Sequence, residues 1–314
     1  MYAPVQPMHI PDGFLSTAVS IVFWAVSAVI VGYALRRVSK DMGERHVPMM
    51  GVLAAAIFAG QMINFSITGG TSGHLLGATL ATVLLGPWAA IIVLTSVVSI
   101  QALIFQDGGL LALGANLFNM AIVGVTVSHF VYASFRKLTG GKTWGVFAGG
   151  AVAAWLSIVI AALAAALELA LSGTSPANIS IPAMGGIHAL IGIGEGLITV
   201  GAFAFLYAAR RDLFRTGETS SKGGLAVWIF GMGIAMVLAI LSPLASHHPD
   251  GLEWVAAHEG FLEAARAPLY KVIPDYFFPG ISNKTLATIA AGMIGTLLVI
   301  MVTLGLAYLR RNKM

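Results

Sequence analysis

The residues best suited to chemistry in this sequence are its histidines. There are eight of them and no cysteine, so a site for a transition-metal ion has to be built from nitrogen rather than thiolate donors. His9 sits in MHIPDGF and His74 in GGTSGHLLG. Imidazole suits nickel, cobalt, copper and zinc alike, and two imidazoles with backbone nitrogen complete a compact nitrogen site. Gly69, Gly70 and Gly73 let the second segment turn tightly and bring its backbone close to a neighbour. The plainer alternative is that both are unrelated interfacial histidines that cap helices or bind water. Which holds depends on the elements that carry them.

Other polar residues stand out by their apolar surroundings. Glu168 and Glu195 fall within hydrophobic runs, where an ionisable side chain is a functional hypothesis by default. Glu168 lies near the outer end of its run, within reach of interfacial water. Glu195, in IGIGEGL, is deeper and reads either as a structural hydrogen-bonded carboxylate or as a group beside a transport path. His188 precedes it by two helical turns on a similar face, which makes a pair of them feasible. Gln61, Asn64, Asn116 and Asn119 are of the kind that bridges helices. The run GGKT at 140–143 ends like a phosphate-binding loop, but the first glycine of that motif is replaced by Arg136, and neither G-x-S-x-G nor HExxH is present. Nucleotide hydrolysis and hydrolase chemistry therefore have no motif here.

The elements are membrane helices. Of 314 residues 58% are hydrophobic and 10% charged, against about 25% charged in an ordinary soluble domain, and the mean hydropathy is +0.88. Apolar runs are predicted at about 14–35, 47–67, 74–86, 87–106, 110–134, 144–172, 181–209, 224–245 and 285–309, nine in all. Residues 75–105 taken as one helix would be about 46 Å long, so the break at Gly86-Pro87 is read as separating two short crossings. Charge parity agrees. Arg36, Arg37, Lys40 and Arg45 follow the first run and Arg136, Lys137 and Lys142 the fifth, and both clusters belong in the cytoplasm only if an even number of crossings separates them.

Carried through, this scheme puts the N-terminus outside and the C-terminus inside, with fourteen of the seventeen basic residues cytoplasmic. The net charge of +4 then reflects anchoring at the lipid bilayer and implies no nucleic acid. His9, His74, His247, His248 and His258 fall at the outer face. The fold class expected is all-α, a polytopic bundle of about nine transmembrane helices. A seven-helix module, 8–210, is followed by a polar cytoplasmic connector, 211–223, and a two-helix module, 224–314, with an outer loop at 246–284. Residues 1–7 do not read as a cleavable secretory signal.

Taken together, MHIPDGF, FAGQMINFSITGGTSGHLLG, LLGPWA and QALIFQDGGLLALGANLFNMAIVG resemble the substrate-binding membrane component of the cobalt/nickel energy-coupling-factor transporters, the CbiM/NikM family. SHHPDGLEW with a long outer loop and a final span resembles the PDGLE-type component that accompanies it, here fused. The resemblance implies capture of Ni²⁺ or Co²⁺ as transported substrate, with no resident cofactor and no catalysis. It also implies a location in the plasma (inner) membrane, and as partners a transmembrane coupling (T) protein and cytoplasmic ABC-type ATPases. It implies a metal site made of the free amine of a Met, the backbone nitrogen and imidazole of the following His, and a His in the GTSGH loop, positions that match Met8, His9 and His74. Here Met8 is preceded by MYAPVQP, which leaves it a free amine only if the chain starts at Met8 or is trimmed to it.

The residues leave room for two further classes: a self-sufficient secondary carrier or channel for divalent cations, supported only by Glu195 with His188, and an intramembrane metal enzyme, for which no general base stands beside the histidines. The repeated element His9-Ile10-Pro11-Asp12-Gly13 and His248-Pro249-Asp250-Gly251 leaves open that both outer loops touch the ion. The orientation is testable directly. A topology reporter fused to the C-terminus should be active only when it reads the cytoplasm; activity confined to the outside refutes the scheme and the grouping of His9 with His74.

Overall fold

The computed structural model describes residues 9–41, 47–214 and 224–309. Its helices are α1 Thr17–Asp41, α2 Val47–Gln61, α3 Ala78–Leu85, α4 Pro87–Ile100, α5 Leu113–Asn116, α6 Gly124–Leu138, α7 Thr143–Leu171, α8 Ala177–Ala209, α9 Gly224–Leu241, α10 Gly251–His258 and α11 Lys284–Leu309. Widened π turns extend α4 through Gln101–Phe105 and join α5 to α6 through Leu117–Val123. Among the described residues six rods are long and apolar enough to cross a bilayer: Thr17–Lys40, Pro87–Phe105, Leu113–Leu138, Thr143–Leu171, Ala177–Ala209 and Lys284–Tyr308. The chain is thus mostly helical, as expected from its composition.

The structure departs from the expected runs between residues 47 and 86. Helix α2 stops at Gln61, and a short antiparallel hairpin follows, β1 Phe65–Ile67 paired with β2 Thr71–Gly73. Gly69 and Gly70, with φ of 94° and 78°, make its turn, a conformation that residues with a β-carbon rarely adopt. Helix α3 starts only after Gly77, also at positive φ, and ends at Gly86 after eight residues, about 12 Å of rise. Leu80 and Leu84 of α3 pack with Tyr132, Val146 and Phe203, at the ends of α6, α7 and α8 beside Arg136, Lys137 and Lys142. The segment from β2 to α3 therefore runs through the bundle partly as irregular backbone.

Irregular backbone inside a membrane bundle needs partners from the protein, because lipid offers none. Glu195 of α8 supplies two: its carboxylate accepts the Leu76 N–H at 2.7 Å and the Gly77 N–H at 3.0 Å. Gln61 donates to the Leu76 carbonyl at 3.0 Å, while its own carbonyl accepts from Gln101 at 2.8 Å. The feasible Glu195–His188 pair does not form. The His188 ring bonds the Met184 carbonyl, and Glu195 is hydrogen-bonded to the backbone of Leu76 and Gly77.

The C-terminal helices pack on α2 through small residues. Ala55 lies in one cluster with Ala235 and Ile300, and an added Cβ at Gly231 of α9 would come within 1.9 Å of Val52. Ala59 is likewise buried, whereas Gly32 has open space around it. Replacing Glu195 with Ala should orphan two buried N–H groups, at about 1–3 kcal/mol each. Thermal unfolding in detergent should show the loss, with proteolysis enhanced at 71–77; Glu195→Gln, which retains one acceptor oxygen, should recover part of it. Equal stability of Glu195→Ala and the parent refutes this role.

Candidate metal centre

His9 reaches the bundle on a segment that is itself non-helical. Residues 9–13 lie against the loop 106–112 and exchange hydrogen bonds with it almost residue by residue. The Ile10 N–H donates to the Asn116 side-chain oxygen at 3.1 Å, and the Asn116 amide and the Gly109 N–H donate to the Ile10 carbonyl. Asp12 accepts the N–H groups of Leu110, Leu111 and Ala112 at 2.8–3.1 Å, which satisfies the backbone of the turn leading into α5. The fit needs glycine: a Cβ at Gly109 would sit 2.1 Å from an Asp12 carboxylate oxygen, and Gly108, at φ 100°, stands against the His9 Cβ. Asp107 takes both polar faces of His9 nearest the backbone. Its carboxylate accepts the His9 N–H at 3.3 Å and its carbonyl the ring Nδ1–H at 3.2 Å.

His74 follows β2 and meets His9 edge to face, ring centroids 5.5 Å apart at 82°. Its Nδ1 lies 3.0 Å from the Leu75 carbonyl, and the Nδ1 of His188 lies 2.8 Å from the Met184 carbonyl. A carbonyl only accepts, so in all three rings the proton belongs on Nδ1 and the lone pair on Nε2. A ring so held by its second nitrogen is the usual state of a metal-binding histidine. The His9 Nε2 is buried without a hydrogen-bond partner. His9, His74, His188 and Asp250 line one cavity of about 90 Å³, where about 10–15 Å³ suffices for a water. Its inner wall holds Asn119, which donates to Glu168 at 2.8 Å. No three described His, Asp and Glu side chains are close enough to hold an ion by themselves.

The C-terminal segment supplies part of the cavity wall through Asp250, Gly251 and Leu252. The Pro249 carbonyl accepts the Ser72 N–H at 2.8 Å, the His248 carbonyl accepts the Ser72 hydroxyl at 2.8 Å, and Asp250 caps α10 by accepting the Glu253 N–H at 2.8 Å. Burial pushes the Asp250 carboxyl well above the usual carboxylate range. An added Cβ at Gly251 would lie 2.9 Å from the His188 ring. Arg266 donates its backbone N–H to the Asp12 carbonyl at 2.7 Å, and Phe261 packs edge-on against Phe14.

The structure thus brings His9 and His74 together and adds His188 and Asp250 to the same cavity. His247, His248 and His258 have exposed side chains, the last stacked on Trp254 at 3.7 Å. His129 is exposed on α6. Met8 lies outside the described residues, as do His46, Arg45 and the connector from 215 to 223. Asp12, Asp107 and Asp250 escaped sequence reasoning as contributors. The one signal for two of them is the Pro-Asp-Gly that each outer segment carries.

A family described as cobalt uptake substrate-specific transmembrane region, CbiM, matches residues 9–213, and the PDGLE domain matches residues 225–312. A NikMN chain of Archaeoglobus fulgidus, named for fused nickel transport, is 37% identical over 306 residues, covering 96% of this chain and 98% of its own. The fused nickel transport protein NikMN of Rhodobacter capsulatus is 34% identical over 280 residues, covering 83% of this chain and 79% of its own. A solved structure titled as a truncated transition metal transporter superposes with a TM-score of 0.58 at 38% identity, over 64% of this chain and 99% of that one.

Proposed function

From the premise that this chain belongs to the cobalt uptake substrate-specific transmembrane (CbiM) family and carries a PDGLE domain, a multi-pass membrane protein of a nickel and cobalt transport family, we propose that it is the substrate-capture component of an ATP-driven, energy-coupling-factor type importer of divalent nickel or cobalt. The observation that carries this reading is the meeting of His9 and His74 at the rim of one cavity, each ring held through Nδ1. The ligands are Met8, His9 and His74, with backbone nitrogen completing a set that the described side chains leave short. The His9 backbone nitrogen and Nδ1 both address Asp107, so drawing them onto an ion requires Asp107 to yield its place, whereas Nε2 is buried without a hydrogen-bond partner.

The chain crosses the membrane nine times, N-terminus outside, in modules of seven and two helices joined at 211–223. Support comes from α3, which together with the extended residues before it reaches from the histidine rim to the ends of α6 and α7. Energy comes from a coupling protein and ATPases outside this chain, whose own sequence lacks a phosphate-binding loop. A self-sufficient carrier would want a charged group free at mid-depth, and Glu195 is already engaged with two backbone N–H groups. Uptake in cells should therefore depend on co-expressed ATPase, and uptake without it would favour the carrier.

His9→Ala and His74→Ala should each abolish tight nickel or cobalt binding in a chelator-competition assay, because losing one nitrogen donor opens a position to water. His46→Ala and His129→Ala should bind as the parent does. A protein beginning at Met8 should bind tightly and one that retains residues 1–7, with Met8 unable to initiate, far more weakly; equal affinities would remove Met8 from the ligand set. Binding should weaken on acidification, since protons compete for the amine, the amide and the imidazoles.

A further inference from the structure

We infer that the cavity inward of His9 and His74 is a waiting site, in which a divalent nickel or cobalt ion lodges with part of its water shell before the final ligands close on it. His188 and Asn119, which the ligand set leaves unused, receive the ion there. The inference rests on the function just proposed and deepens that reading.

The observation behind it is a wall of one polarity. Among the described residues, the buried side-chain atoms of this cavity that lack a partner are His9 Nε2 and Asn119 Oδ1, and each residue is only 4% exposed. Both atoms are acceptors, Nε2 because the ring proton sits on Nδ1. His74 and His188 add two more lone pairs, since each ring gives its Nδ1–H to a main-chain carbonyl. The amide groups of Asn116 and Asn119 donate elsewhere, to the Ile10 carbonyl and to Glu168. A water bound to a metal ion has committed its lone pair and can only donate, so a wall that only accepts suits a hydrated cation. Space permits one: the cavity is about 90 Å³, where about 10–15 Å³ suffices for a water. The described His, Asp and Glu side chains do not approach closely enough to bind an ion directly in threes, so waters must fill most of its shell and bridge it to the wall.

The order of events follows from Asp107. One of its carboxylate oxygens accepts the His9 N–H at 3.3 Å, its carbonyl accepts the Nδ1–H at 3.2 Å, and its other carboxylate oxygen accepts the Tyr276 hydroxyl at 2.6 Å. The two His9 nitrogens that the final set requires are thus covered, while Nε2 faces the cavity. An arriving ion meets that side of the ring with Asp107 undisturbed, and reaches the backbone nitrogen only as Asp107 yields. A neutral imidazole offers one lone pair at a time, so the two positions are filled in turn and share one ion. His188 is a clean probe of the first. Its ring bonds the Met184 carbonyl, which α8 already satisfies through the His188 N–H, so His188→Ala orphans nothing.

Full-length protein stripped of metal is mixed rapidly with Co²⁺ and its visible absorption followed. A fast phase that saturates with Co²⁺ and carries the weak bands of a six-coordinate hydrated ion should precede a slower, concentration-independent phase. His188→Ala and Asn119→Leu should each raise the Co²⁺ concentration that half-saturates the fast phase about tenfold, and leave the affinity of the final complex and the unfolding temperature as in the parent. If Asn119→Leu fails to fold, having lost its bond to Glu168, His188→Ala decides alone. The chain that retains residues 1–7, with Met8 unable to initiate, should keep the fast phase. No fast phase, a fast phase indifferent to His188→Ala, or an equal loss in the final complex would overturn the waiting site. A parent that forms no tight final complex with nickel or cobalt would instead overturn the functional reading, and the response of the fast phase to His188→Ala would still decide whether the cavity receives the ion.

Discussion

Backbone that is neither helix nor closed barrel has no partner in lipid, and this constraint organises the whole molecule. Both histidine-bearing segments are irregular, so the bundle must supply their hydrogen bonds from side chains. Glu195 and Gln61 do so for residues 76 and 77, and Asn116 and Asp12 do so where residues 9–13 meet the loop 106–112. Polar residues that look costly in an apolar sequence are in this sense the scaffold of the outer face. Without them each orphaned group would carry a desolvation penalty of about 1–3 kcal/mol, more than a typical hydrogen bond contributes net.

The chemistry follows from how those segments are held. A ring whose Nδ1–H is committed to a carbonyl presents a neutral Nε2 with its lone pair available, which is the state a cation needs. His9, His74 and His188 all share this arrangement, and the last two take their carbonyl from within four residues, so local backbone geometry aims them. His9 differs, since its support comes from Asp107 across the chain. The aim of one ring is therefore set by tertiary structure and can respond to it.

Much of this was legible in the sequence. Composition and apolar runs announced a membrane helix bundle, and His9 and His74 were grouped on topology because charge clusters assigned both to one face. The run 74–86 was read as helix throughout, whereas helix spans only Ala78–Leu85, because Gly73 and Gly77 favour irregular backbone that hydropathy cannot distinguish from helix. Glu195 reads from the sequence as a structural hydrogen-bonded carboxylate or a transport-path group, and its partners, two amide N–H groups, leave no trace in residue types. Asp107 and Tyr276 were invisible for a related reason: 169 residues separate them, and no periodicity links a loop acid to a distant phenol.

The segment 246–284 is held by single hydrogen bonds, each worth about 0.5–1.5 kcal/mol net, and by apolar residues buried in the bundle's own clusters, Leu252, Val255, Ala256, Phe261 and Ile273. Two separate proteins making the same contacts would forfeit about 4–15 kcal/mol of translational and rotational freedom on association. Covalent continuity changes that arithmetic, because the segment meets its seat at an effective concentration set by tether length, which reaches millimolar for short flexible tethers, and its occupancy no longer follows the expression level of a second gene. Contacts that between separate chains would first have to offset the cost of association are then free to keep the segment on its seat.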